Sequence, residues 1–159
     1  MLRLAFLDGR VVLVIGAMIG LMAAGEREAI GAVAGLLAAG TGAMELHGAN
    51  LLRDRDPRGV TWLVRSQLAL LVVALGFCAA RLGNFDVIQE QFVITPDIER
   101  TFRDAGMATD EILPMLRKVY FATYLFGGTI ALVYKLGMAR FYHQRREQVT
   151  RDLGYPAGS

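Results

Sequence analysis

The chain has 159 residues, a length that suits one domain, and 54% of them are hydrophobic; with a mean hydropathy of +0.40 it is too apolar for an ordinary soluble domain and points to the membrane. Its 17 Lys and Arg nearly balance 15 Asp and Glu, so no global basic excess suggests nucleic acid. The single cysteine, Cys78, excludes an internal disulfide and any multi-cysteine metal site, and in its apolar run it reads as a small core residue.

In chain order, a short basic start with Arg3 and Arg10 leads into VVLVIGAMIGLMAA. A secretory signal with Met22-Ala23-Ala24 as cleavage site fits this pattern, but further spans follow, so the expectation is a retained first transmembrane helix over about 9–25. That span is short for a hydrocarbon core of roughly 30 Å, which places Asp8 and Arg10 near one interface. Gly16, Gly20 and Ala24 are spaced by four, a small-residue row that predicts close packing, most simply against the next helix across the short link Gly25 to Glu28.

The second span, 29–52, is almost uninterrupted apolar sequence with one carboxylate, Glu45. Gly31, Gly35, Ala38, Gly42, Glu45 and Ala49 form one helical stripe. In lipid such a stripe admits a neighbouring helix, and an acid on it faces that neighbour rather than the tails. Pro57 and Gly59 then break the chain among Arg53, Asp54, Arg55, Asp56 and Arg58.

A third span covers 60–80, with Trp62 at the interface and Arg65 about one turn deeper, at about the depth of Glu45 counted from the shared loop. Between Arg81 and Lys118 lies a polar stretch with two helix starts. Thr95-Pro96-Asp97 sets an N-cap, a first-turn proline and acids; Thr109-Asp110-Glu111 begins a second pattern in which Pro114 either kinks the helix or marks its true start. The expectation is a short extramembrane helical hairpin over 85–114, with Phe85, Ile88 and Phe92 touching the interface. The fourth span, about 117–138, has Tyr120 and Tyr124 at one end and Tyr134 and Tyr142 at the other, with Lys135 snorkelling outward. A basic helical tail over 139–153 ends at Gly154 and Pro156.

The fold class expected is therefore all-α: a single polytopic membrane helix bundle of four transmembrane helices with that hairpin between the third and fourth. Basic residues flank the spans mostly on the side of the two termini, whereas seven acids lie between Asp86 and Glu111. The positive-inside rule then gives cytoplasmic N- and C-termini in a bacterial inner membrane.

Glu45 with Arg65 is the sharpest constellation. It reads as a proton- or cation-binding carboxylate tuned by a neighbouring charge, as a buried salt bridge that pairs two helices, or as an interfacial residue with no partner. Gln67, His47 and His143 are secondary candidates. Glu45 and His47 lie about 200° apart around a helix, and His143 with Glu147 supplies too few ligands, so no haem, metal or other cofactor is expected. Ser66 and Thr61 lack a nearby histidine, and the eighteen glycines form no phosphate loop, so no enzyme chemistry is expected. Arg140, Arg145 and Arg146 offer contact with anionic lipid headgroups, at about 1 kcal/mol per favourable charge. The functional expectation is an oligomerising or accessory subunit of a membrane complex; the alternative is a homo-oligomeric channel or transporter with Glu45 and Arg65 on its polar path.

Overall fold

The computed structural model describes residues 2–84, 96–104, 106 and 109–145. The helices are α1 Leu2–Gly25, α2 Ala29–Arg53, α3 Arg58–Gly83, α4 Pro96–Asp104 and α5 Thr109–Gln144. Among the described residues, four stretches are long and apolar enough to cross a membrane: α1, α2, α3 and Pro114–Gln144 of α5. The protein is a multi-pass helical bundle, as the hydropathy pattern implies. The expectations for Phe85, Ile88, Phe92, Thr95, Arg146, Glu147, Gly154 and Pro156 fall outside the described residues.

The first two connections are tight and built alike. Glu28 N–H donates to the Ala23 carbonyl at 2.8 Å and Arg27 N–H to Ala24 at 3.1 Å, while Asp56 N–H donates to Leu51 at 2.8 Å and Arg55 N–H to Leu52 at 3.2 Å. This nested pair of bonds satisfies the last carbonyls of each helix. It requires a left-handed residue, and here arginine takes that place twice, Arg27 at φ 59° and Arg55 at φ 62°. Links this short force α1, α2 and α3 to run antiparallel to their neighbours.

Glycines decide how closely α1 and α2 approach. A Cβ on Gly16 would stand 2.6 Å from the Ala39 amide nitrogen, and one on Gly42 would stand 2.5 Å from that of Leu13. A Cβ on Gly35 would collide with the backbone of Gly20. Two helices touching backbone to backbone gain dispersion contacts along their length, the main source of helix association in lipid. The stripe of α2 faces inward as expected: Gly31, Gly35, Gly42, Glu45 and Ala49 are buried and Ala38 is half-buried. In α1 the seam differs by one residue. Gly9, Gly16, Gly20 and Ala23 are buried, whereas Ala24 is exposed. A strict spacing of four drifts off the contact line, and the seven-residue steps 9, 16 and 23 hold the seam against α2.

The α2–α3 contact repeats the device near their shared loop, where Gly48 and Gly59 oppose each other and a Cβ on Gly59 would stand 2.5 Å from the Gly48 carbonyl oxygen. α5 packs on α3, with Cys78 beside Gly128. The division expected between a hairpin arm ending at 114 and a fourth span beginning at 117 is absent: α5 is one helix of 36 residues with Pro114 inside it. Pro114 is the sixth residue of α5, just past the first turn, so the helix forgoes one backbone hydrogen bond, to the Asp110 carbonyl. The helix extends to Gln144, so the first part of the expected tail is the end of α5.

Candidate functional site

Each span places one chargeable or amide side chain roughly 9–14 Å in from its end, at ~1.5 Å per residue and on the same side of the bundle, and α5 adds Tyr142 nearer its end. α1 supplies Asp8, α2 Glu45, α3 Gln67, and α5 Lys135 and Tyr142. The antiparallel up-and-down order brings these positions to one level, because the start of α1 lies beside the end of α2, the start of α3 and the end of α5.

Lys135 Nζ donates to Asp8 Oδ2 at 3.1 Å. Gln67 Nε2 donates to the same oxygen at 3.3 Å. The Tyr142 hydroxyl donates to Glu45 Oε1 at 3.4 Å, a long contact. Asp8, Lys135 and Gln67 also lie within electrostatic reach of Glu45. Burial is deep: Gln67 and Tyr142 are 0% exposed, Glu45 1% and Lys135 8%. Ala5, Ala49, Leu52, Val60 and Leu63 pack with Tyr142 in the surrounding core. In this low-dielectric setting the ion pair is strong and its partners are expensive to separate.

Glu45 therefore lies inside the bundle, as the stripe implies, but its expected partner does not. Arg65 is exposed on the outer face of α3 and, among the described residues, makes no ion pair with Glu45. Equal depth along two helices says nothing about direction around them, and Ser66 and Gln67 rather than Arg65 occupy the inward face of α3. Two further expectations reverse. Asp8 is drawn into the cluster instead of resting at an interface, and Lys135 turns inward instead of snorkelling. Pairing with an acid offsets part of the cost of desolvating an ammonium inside the bundle. Of the secondary candidates only Gln67 joins the site. His47 is exposed, with its ring edge-on to Trp62 at 5.1 Å, and His143 is exposed near the end of α5. No group of three potential metal ligands occurs among the described residues.

A second polar contact closes the other end of the bundle. Glu28 caps α2 by accepting from Gly31 N–H at 2.8 Å and pairs with Arg81 Nη2 at 2.6 Å. The Arg81 carbonyl accepts from the Tyr120 hydroxyl at 3.1 Å, and its guanidinium lies 5.2 Å from the Phe77 ring centre. This joins the α1–α2 turn to the end of α3 and to α5. Between the two polar levels an apolar groove of about 290 Å³ runs past Ile15, Gly16, Gly35, Ala38, Val73 and Phe77.

No family model matches this chain, and neither a curated protein nor a solved structure does.

Proposed function

We propose that the chain is a subunit of a membrane assembly, either a homo-oligomer or an accessory protein of a larger complex, in a bacterial inner membrane with both termini cytoplasmic. One observation carries the reading. Gly40, Gly76, Gly127 and Gly137 lie inside spans with nothing near the place a Cβ would occupy. A glycine in a helix costs about 1 kcal/mol against alanine, and lipid tails return nothing for it. Another helix does, by approaching closely. Arg65, exposed within the third span, is of the kind that an acid on a neighbouring subunit would satisfy. Arg140 and Arg145, exposed at the end of α5, suit anionic headgroups on the cytoplasmic side.

Native mass spectrometry from nanodiscs tests the proposal. A species heavier than the 17.4 kDa protomer, reduced to the protomer by Gly127→Leu or Gly137→Leu, is expected. A monomer that brings down no partner after crosslinking overturns it.

The second reading, an ion or proton path, draws support from the buried charges of the Glu45 cluster and none from Glu45 with Arg65. Glu45→Gln separates the two: it abolishes a flux under the path reading and weakens folding or assembly under the other.

A further inference from the structure

The polar cluster holds one more acid than base. Two carboxylates, Asp8 and Glu45, share one cation, Lys135. Lys135 is committed to Asp8 at 3.1 Å, and Gln67 donates to that same oxygen. Glu45, almost fully buried, accepts one long hydrogen bond, from Tyr142, and otherwise has only the Gln67 amide within reach. The Oε1 atom of that same Gln67 side chain, which has no exposure, has no donor among the described residues. An orphaned buried acceptor next to a poorly satisfied buried carboxylate is costly on both counts.

We infer that Glu45 is a binding site for one exchangeable proton, which its carboxyl donates to Gln67 Oε1. The proton completes a chain: Glu45 O–H to Gln67 Oε1, Gln67 Nε2–H to Asp8 Oδ2, and Lys135 Nζ–H to the same Asp8 oxygen. The charges then balance, one anion against one cation, and the orphaned Gln67 oxygen gains its donor. Binding forms one O–H bond on Glu45 and releases nothing else; dissociation returns the proton to water, with no electron transferred. Every element around Glu45 contributes to the setting: Asp8 from α1, Gln67 and the backbone-bonded hydroxyl of Ser66 from α3, and Tyr134, Lys135 and Tyr142 from α5. When the proton leaves, a second anion faces Lys135 and the Gln67 amide loses its acceptor role. Gln67 thus reports the state of Glu45 to the Asp8–Lys135 pair that ties α1 to α5. This inference goes beyond the assembly reading and does not depend on it.

Infrared difference spectroscopy of the full chain in nanodiscs, titrated with pH in choline buffer, tests it. Expected is the carbonyl band of one protonated carboxyl, shifted in deuterium oxide, bleaching as a single group at high pH, and missing in Glu45→Gln. Tyr142→Phe, which keeps the packing volume, should retain the band and move its frequency, because it removes a hydrogen bond to that carboxyl. Absence of any protonated-carboxyl band in the wild-type chain overturns the inference, as does a band that persists unshifted in both variants. A band that vanishes when sodium replaces choline at constant pH also overturns it, by assigning the site to a metal cation.

Discussion

Lys135 Nζ sits 3.1 Å from Asp8 Oδ2, joining the first span to the last across 127 positions of chain. Both groups are largely shielded, with side-chain exposures of 10% and 17%. Removing one partner of such a pair leaves an uncompensated charge and typically costs about 3–5 kcal/mol. Lys135→Met and Asp8→Asn should each lower unfolding stability in bicelles by roughly that amount. The double variant should lose much less than the two together, because neither charge is then stranded. Additive losses in the thermal or denaturant midpoints would show that the pair is not coupled.

The two classes of glycine should respond differently. Gly35→Val puts carbon into the backbone of Gly20, and Gly16→Val does the same at Ala39, so both should force α1 from α2 and cost several kcal/mol, as overpacking of a tight contact does. Gly76→Ala and Gly127→Ala meet open space. These should leave the protomer unchanged or more stable by up to about 1 kcal/mol. Comparing the four melting temperatures in one detergent checks the contrast.

Arg27 and Arg55 hold left-handed conformations at φ 59° and φ 62°, which cost a non-glycine residue roughly 1 kcal/mol. Arg55→Gly should relieve that strain. The gain is offset by the wider freedom of glycine in the unfolded chain, so a small net stabilisation, about 0.5 kcal/mol, is expected. Arg55→Val should instead destabilise, since a β-branched residue tolerates this region least.

Glu28 serves α2 as its N-cap and Arg81 as its counter-ion. Glu28→Gln should keep part of the capping bond and lose the ion pair, and Glu28→Ala should lose both, at about 1 kcal/mol for the cap alone. The Arg81 Nε atom, already buried without a partner, makes the alanine variant the more costly. Hydrogen exchange confined to the first turn of α2 and the end of α3 would locate the effect.

Much of this architecture was legible in the residues alone, for a physical reason: hydrocarbon demands long apolar helices with internally satisfied backbones, and that demand is written as composition and run length. The four spans, the breaks at Gly25–Glu28 and Arg53–Arg58, and the inward stripe of α2 with Glu45 on it all follow from local pattern. The partners of Glu45 do not. Depth along a helix can be counted from a loop, and it put Arg65 level with Glu45. Direction around the helix depends on which faces meet, and tertiary packing turned Ser66 and Gln67 inward and left Arg65 outside. Asp8 and Lys135, each assigned to an interface by its position near the end of a span, meet only because α5, packed on α3, comes within side-chain reach of the start of α1. The sequence by itself therefore determined that this is a helical bundle of membrane character with one acid at its centre. Only the tertiary structure decided which residues answer that acid, because contacts between helices distant in the chain have no local signature.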